Sequence, residues 1–242
     1  MKANASTIFL TAEWRSLALL NYEVDPAVLT PFVPPGTELD FWNGRTFVSL
    51  VGFLFQRTRI CGMAIPFHRN FEEVNLRFYV CRKVDDGWRR GVVFIKELVP
   101  RRAIALVARK CYNENYIALP MSHQIEKFQE EIKSVAYFWR FHGNENYLKL
   151  ATCGGAQLLV EGSEQEFITE HYWGYARQRD GSTLEYRVEH PRWRVWETQA
   201  AELHCEAAEL YGENFHDTLG RPPSSAFLAD GSEVRVHKGI KL

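Results

Sequence analysis

The sequence lacks the features that mark secreted, disulfide-bonded and membrane proteins. Its five cysteines, at positions 61, 81, 111, 153 and 205, include no closely spaced pair. Isolated thiols in odd number indicate a reducing compartment rather than a disulfide framework. No window approaches the roughly 18 apolar residues of a membrane helix, and the apolar stretch near the N-terminus is too short for a signal peptide. We therefore predict a cytoplasmic protein with no membrane partner.

An excess of charge of either sign is also missing. The chain has 29 basic and 30 acidic side chains, so no nucleic-acid partner is indicated. The eight histidines are scattered without metal-ligand spacing. Even the adjacent His204 and Cys205 would point to opposite faces of a strand. We expect neither a metal nor a cofactor.

What the sequence does contain is a large apolar and aromatic fraction. Of its 242 residues, 46% are hydrophobic and 14% are aromatic, including seven tryptophans. A chain of this length buries roughly three quarters of the surface that it exposes when unfolded, so it needs no disulfide or metal for stability. No linker, repeat or low-complexity stretch divides it. We predict one domain spanning residues 1–242.

Turn signals recur at the spacing typical of hairpins, which favours a curved antiparallel or mixed sheet over alternating βαβ units. Asn43-Gly44 predicts a two-residue hairpin between strands at 39–42 and 46–51. The alternation over residues 73–81 places Glu73, Asn75 and Arg77 on one face of a strand. Further strands are predicted at 17–24, 91–98, 124–141, 144–150, 172–178, 182–189, 193–205, 226–228 and 234–237.

Three or four short helices are predicted between these strands. Asp25-Pro26 is typical of a helix start, and the capping box Ser163–Glu166 predicts a helix that ends near Trp173. A third helix should follow Pro100, with Ile104, Val107, Ala108 and Cys111 on one stripe. A fourth covers residues 206–211.

Three groups of segments resemble a known family. They are Thr11–Arg15 with Asn21–Pro26 and Pro34–Asp40; Glu73–Val80; and Phe167–Glu170 with Tyr172, Arg179-Asp180-Gly181 and His190–Trp193. Their order and spacing resemble the YqjF-like family, domain of unknown function 2071, which is placed in the acetoacetate-decarboxylase-like superfamily. The resemblance implies an α+β, mostly β fold: a cone-shaped, curved β-barrel or half-barrel with a few short helices. It also implies a ligand site inside the cone.

The same resemblance argues against the superfamily's decarboxylase chemistry. In those enzymes a lysine with a lowered pKa forms a Schiff base with a β-keto acid. The matching segment here ends in Pro100-Arg101-Arg102, and a guanidinium stays protonated and is not an amine nucleophile. The family's acidic site residues align near Val48 and Ile60, where this chain has none.

The resemblance suggests which side chains bind a ligand. Arg15 aligns with an arginine of the family and would pair with a carboxylate, although it could equally lie on an edge strand facing solvent. Glu73, Asn75 and Arg77 would line the pocket if the inside of the cone is polar, or form a solvated strand face if it is not. Arg101 opens a helix, where a cation is unfavourable unless an anion lies nearby.

Lys96 is a weak candidate for a replacement nucleophile. By strict alternation it shares a strand face with Val92, Phe94 and Leu98. Apolar neighbours would lower the pKa of its amine and favour attack on a carbonyl. The alternative is an ammonium that reaches water near the end of the strand.

Taken together, the sequence predicts a protein that binds a small organic acid or carbonyl compound in an internal cavity and is not a Schiff-base decarboxylase. Two alternatives stay open. One is a non-catalytic binding or structural module, and the other is a lyase or hydratase that uses Lys96 or a carboxylate base. The oligomers of the superfamily imply a possible homo-oligomer.

Overall fold

A computed structural model describes residues 7–106 and 113–242. The described part of the chain is mostly β. Its strands are β1 (Ile8–Val24), β2 (Glu38–Leu39), β3 (Thr46–Ile60), β4 (Phe71–Val84), β5 (Gly87–Val99), β6 (Tyr116–Ala118), β7 (Met121–Phe128), β8 (Glu131–Phe141), β9 (Asn144–Leu158), β10 (Trp173–Arg177), β11 (Thr183–Glu189), β12 (Arg194–His204), β13 (Ser225–His237) and β14 (Ile240–Lys241).

The helices are short and lie between the strands. They are α1 (Pro26–Leu29), α2 (described over residues 102–106), α3 (Glu164–Thr169), α4 (Ala207–Tyr211) and α5 (His216–Leu219), with 3-10 turns at Thr30–Phe32 and Glu213–Phe215. The Asp25 carboxylate caps α1 by accepting a hydrogen bond from the amide of Ala27 (2.8 Å), as the Asp-Pro signal predicted. The Ser163 hydroxyl caps α3 in the same way.

All strands belong to one sheet that curves back on itself. Its hydrogen-bonded order is β14-β11-β10-β5-β4-β3-β1-β13-β12-β9-β8-β7, with β2 beside β4 and β6 beside β5. An additional pairing joins β11 to β13 through Val188 and Val236. The pairings therefore close a circuit through β11, β10, β5, β4, β3, β1 and β13, and β12, β9, β8 and β7 extend from it as a wing.

Two apolar cores lie on opposite faces of this circuit. On the outer face, residues of β1, β3 and β4 pack against the wing, with Tyr137 and Trp139 fully buried between them. Gly52 of β3 allows this approach, because a Cβ there would stand 2.5 Å from the Tyr137 ring. On the inner face, Leu19, Val51 and other apolar side chains form the second core. The inner face is the one that positions the candidate site.

The structure confirms the predicted fold class of a mostly β protein with a curved sheet and a few short helices. The turn at Asn43-Gly44 is confirmed, with φ values of +50° and +76°. The predicted hairpin strand at 39–42 is wrong beyond an isolated bridge from Trp42 to Arg45, because Glu38–Leu39 pairs with β4 instead.

Two other predicted boundaries differ from the structure, and part of a third prediction falls outside the described residues. Helix α3 ends at Thr169 rather than near Trp173, which begins β10. The strands at 226–228 and 234–237 are one strand, β13, which continues through Gly231. Residues Val107, Ala108 and Cys111 of the stripe predicted after Pro100 lie outside the described residues.

Within residues 7–106 and 113–242, no helix has the length and apolar character needed to cross a membrane.

Candidate functional site

The inner face of the strand circuit encloses a cavity of about 380 Å³. Most of its wall is apolar and aromatic. These side chains include Phe9, Trp14, Val51, Phe53, Phe55, Phe71, Val92, Phe94, Ile104, Trp173, Val188 and Trp193. A cavity of this size and lining suits a small organic molecule, and its few polar groups would set the orientation of the ligand.

Three glutamates form an acidic cluster in the cavity wall: Glu73, Glu97 and Glu114. All three are buried. The hydroxyl of Tyr116 donates to Oε2 of Glu73 (3.1 Å), and that of Tyr186 donates to Oε1 of Glu114 (3.0 Å). Glu97 also has a side-chain hydrogen bond with Tyr116, but its buried Oε2 has no hydrogen-bond partner among the described residues. Tyrosines therefore bind all three carboxyl groups of the cluster, and one oxygen of Glu97 stays unpaired.

Burial raises the pKa of each of these carboxyl groups. It raises the pKa of Glu73 to about 7, although hydrogen bonds from Asn75 and Tyr116 and the charge of Arg77 oppose the shift. For Glu97, burial and then the charges of Glu114 and Glu73 raise the pKa well above its usual value. For Glu114, burial raises the pKa against the hydrogen bond from Tyr186. The three groups therefore share protons near neutral pH.

A β-bulge explains why Glu97 points into the cavity. Along β5, Phe94 lies opposite Arg77 of β4, but Lys96 lies opposite Leu76, so the register shifts by one residue at Ile95. After this shift, each later side chain of β5 points to the face opposite to the one that strict alternation would give it. Val92, Phe94 and Glu97 consequently line the cavity, while Lys96 does not. The predicted shared face of Lys96 with Val92 and Phe94 is wrong for this reason.

The second polar group of the cavity surrounds Arg77. Its Nη2 donates to the carbonyl oxygen of Ile168 (3.3 Å), and its buried Nε has no acceptor in the part of the chain that the structure describes. Asn75, two residues earlier on β4, donates from Nδ2 to Oε1 of Glu73 (3.0 Å), and no donor among the described residues reaches its Oδ1. Within this part of the chain, Arg77 and Asn75 therefore leave one hydrogen-bond donor and one acceptor unpaired.

His171 and His190 line the cavity beside this group. Nε2 of His171 lies 3.1 Å from Oδ2 of Asp40, and Nδ1 of His190 lies 2.9 Å from the carbonyl oxygen of Pro191. Burial lowers the pKa of each imidazole to about 4, and the charge of Arg77 adds to the effect. Both rings are therefore neutral at neutral pH, with the proton on the nitrogen that faces the oxygen.

The structure brings Glu73, Asn75 and Arg77 together as predicted, because they occupy the inward-facing positions of β4. Arg15 and Arg101 are not among the residues that line the cavity. Nη2 of Arg15 instead binds Oε2 of Glu13 (2.7 Å). Arg101 is exposed at the start of α2, whose Ala103 and Ile104 face the cavity.

Sequence reasoning missed Glu97, Glu114 and His171. A glutamate inside the apolar run of β5 is a signal that could have indicated Glu97, because a buried strand rarely carries an unpaired carboxylate. Glu114 and His171 lie in connecting segments without any local pattern. The carboxyl groups among the described residues that line the cavity belong to Glu73, Glu97 and Glu114, and none comes from the regions of Val48 or Ile60.

The fold is similar to that of solved acetoacetate-decarboxylase-like proteins. Acetoacetate decarboxylase from Legionella pneumophila superposes with a TM-score of 0.64 at 14% identity, covering 100% of this chain and 92% of that one. The enduracididine biosynthesis enzyme MppR, complexed with pyruvate, gives 0.67 at 11% identity, covering 99% and 92%. At these identities the likeness establishes the fold alone.

The chain belongs to the DUF2071 family, an uncharacterized conserved protein family (COG2071) whose model matches residues 11–233. The uncharacterized protein YqjF of Bacillus subtilis (strain 168) is 30% identical over 112 residues. That match covers 46% of this chain and 45% of YqjF, so it spans less than half of the relative. The resemblance predicted from the sequence is confirmed.

Proposed function

We propose that this protein binds a small, largely apolar organic compound in the cavity and recognises its carbonyl or carboxyl group with Arg77. The unpaired Nε of this buried guanidinium is the observation that carries the proposal. A buried donor without an acceptor costs about 1–3 kcal/mol. A ligand oxygen would remove that cost, and the surrounding aromatic wall would cover the apolar part of the ligand.

The charges of the cavity favour a neutral carbonyl compound over a free carboxylate. Three glutamates share the wall with the one arginine among its described residues. Because the pKa values of these glutamates are raised, the cavity approaches neutrality by keeping carboxyl groups protonated. A ligand carboxylate would add a further negative charge, so it would bind together with a proton.

An imine mechanism finds no support among the described residues. No lysine of residues 7–106 or 113–242 lines the cavity, and Arg101 cannot attack a carbonyl. The carbonyl class itself is supported by the fold relatives, since MppR is complexed with pyruvate. We therefore propose recognition of a carbonyl group without covalent attachment to Lys96 or Arg101.

A second candidate is an acid-base enzyme of the lyase or hydratase type, with Glu73 as the base. Its pKa of about 7 suits proton transfer near neutral pH, and Tyr116 orients its carboxyl group. This candidate uses the same cavity and predicts that exchange of ligand protons with solvent deuterium depends on Glu73. The exchange should be lost in Glu73→Gln, while ligand binding persists.

The binding proposal is tested with two ligands of the same shape, benzylacetone and hydrocinnamate, in which a methyl ketone replaces a carboxylate. Isothermal titration calorimetry should show both binding to the wild type. Hydrocinnamate should bind more tightly as the pH falls from about 8 to about 6, with proton uptake measurable in buffers of different ionisation enthalpy. The affinity for benzylacetone, which has no carboxylate, should depend less on pH.

Arg77→Met and Arg15→Met provide the matched variants for this test. The first should weaken binding of both ligands by about tenfold to a hundredfold, the range for a lost charged hydrogen bond. The second alters an arginine outside the cavity wall and should leave the affinities unchanged. Absence of binding by the wild type, or equal affinities for wild type and Arg77→Met, would overturn the proposal.

A further inference from the structure

Asp40, His171 and Arg90 form a chain of contacts that ends at the cavity. Oδ2 of Asp40 accepts from Nε of Arg90 (2.6 Å) and lies 3.1 Å from Nε2 of His171. The backbone amide of Asp40 donates to the carbonyl oxygen of Tyr79 (3.0 Å), which anchors this carboxylate to β4. His171 is the member of the chain that lines the cavity.

The Asp40 carboxylate determines which nitrogen of His171 carries the proton. Burial acts to raise the pKa of Asp40, but the hydrogen bonds and charges of His171 and Arg90 outweigh it and lower that pKa. An ionised carboxylate can only accept hydrogen bonds, so Nε2 of His171 must donate. Since burial keeps the ring neutral, Nδ1 is left with a lone pair and no proton.

This Nδ1 has no hydrogen-bond partner among residues 7–106 and 113–242, although the side chain of His171 is only 1% exposed. The ring is also fixed in place, because it packs against Tyr79 (4.7 Å between centroids) and against the edge of Phe167 (5.2 Å). Packing explains the position of the ring. It does not explain why Asp40 and Arg90 are arranged so that Nδ1 of His171 is left as an unpaired acceptor.

Arg77 lies next to His171. Its guanidinium carbon is 5.8 Å from the centroid of Tyr79, the ring that also packs on His171. Both residues line the cavity, so among the described residues its wall carries an unpaired donor on Arg77 and an unpaired acceptor on His171. A ligand with a carbonyl oxygen and a nearby hydroxyl group would satisfy both.

We infer that His171 accepts a hydrogen bond from a hydroxyl group of the ligand, and that Asp40 and Arg90 are positioning residues that hold its Nδ1 unprotonated. The inference rests on the proposed function and deepens it, since the ligand class becomes a hydroxylated carbonyl compound or an enol. The contact uses Nδ1 of His171 and needs none of the three glutamates of the cavity wall.

The tautomer of His171 can be measured first, without any ligand. Nitrogen-15 NMR of histidine side chains should show His171 neutral and protonated on Nε2 at neutral pH. In Asp40→Asn the amide can donate to Nε2, so the proton should move to Nδ1. The control Asp230→Asn, which alters a carboxylate paired with Arg194 outside the cavity wall, should leave the His171 signals unchanged. A wild-type ring protonated on Nδ1 overturns the inference.

The ligand contact is then tested with diacetone alcohol and methyl neopentyl ketone, in which a methyl group replaces the hydroxyl. Diacetone alcohol should shift the Nδ1 signal of His171, and methyl neopentyl ketone should not. The affinity ratio of the two ketones should fall about tenfold in His171→Phe, the loss expected for one hydrogen bond with a buried partner.

The outcomes separate the two proposals. If both ketones bind but Nδ1 does not respond and the ratio is unchanged in His171→Phe, the role of His171 is refuted while the binding function stands. If neither ketone binds, the proposed function fails, and the inference that rests on it fails as well.

Discussion

The hydroxyl of Tyr116 donates a hydrogen bond to Oε2 of Glu73 inside the cavity, at 3.1 Å. The two residues come from strands that are not neighbours, since β6 pairs with β5 and β5 pairs with β4. The contact therefore spans the wall of the cavity. It stabilises the charged form of a carboxyl group whose burial favours the neutral form.

Removing this hydrogen bond should raise the pKa of Glu73 further. In Tyr116→Phe the carboxylate loses one donor, while the burial that raises its pKa persists. A carboxyl carbon-13 NMR titration should show the midpoint of Glu73 moving to higher pH. Tyr147→Phe removes a similar hydrogen bond to Glu202 outside the cavity wall and should leave Glu73 unchanged. A lower midpoint in Tyr116→Phe would contradict the assignment.

The stability of the protein should fall as the pH rises above about 6.5, the usual pKa of histidine. Glu73, Glu97 and Glu114 have raised pKa values in the folded protein, so the folded state holds protons that the unfolded state has released. Each such group lowers the free energy of unfolding as the pH rises through its folded pKa. His171 and His190 act in the opposite direction only below about 6.5, because their pKa values are lowered.

The Glu97→Gln variant tests the carboxyl part of this pH dependence. Denaturant unfolding between pH 6.5 and 8 should give a smaller slope for Glu97→Gln than for the wild type, since one coupled carboxyl group is gone. Glu145→Gln, at an exposed position, should keep the wild-type slope. Identical slopes in all three proteins would show that Glu97 is ionised throughout this range.

Gly231 should tolerate a side chain far less well than Gly36. Both have φ near +80° (+79° and +81°), but a Cβ at Gly231 would collide with the carbonyl oxygen of Trp14, while one at Gly36 meets nothing within 4 Å. Backbone strain should therefore be similar in the two alanine variants, and the collision occurs only in Gly231→Ala. We expect an additional loss of about 1–3 kcal/mol from this crowding, measured as the difference between their free energies of unfolding.

Keto acid trapping should leave Lys96 unmodified. Burial lowers the pKa of its amine, but the bulge at Ile95 directs the side chain away from the cavity. After incubation with acetoacetate and borohydride, peptide mass spectrometry should show no adduct on Lys96. The same mass spectrometry should also cover the peptide that contains Lys110, a residue outside the described ranges. An adduct on either lysine above the level of surface lysines would restore an imine mechanism.

The sequence determined the class of the fold and one strand of the site. Alternating residues along β4 are sufficient to place Glu73, Asn75 and Arg77 on one face, because successive side chains of a strand point to opposite sides. Turn signals such as Asn43-Gly44 and the Asp25-Pro26 cap depend on local backbone preferences, which a sequence displays directly. The run Pro100-Arg101-Arg102, which contains no lysine, is likewise visible without a structure.

Only the tertiary structure decided which other residues meet that strand. A single bulge at Ile95 exchanges Lys96 for Glu97 in the cavity wall, and strict alternation cannot reveal a register shift that depends on pairing with β4. Asp40 and His171 are 131 residues apart in the chain. Their hydrogen bond exists because β10, which follows His171, pairs with β5, and β5 pairs with β4, to which the Asp40 amide is bonded. Contacts between distant segments set the burial, the pKa values and the tautomers of the site, and these properties have no local signature in the sequence.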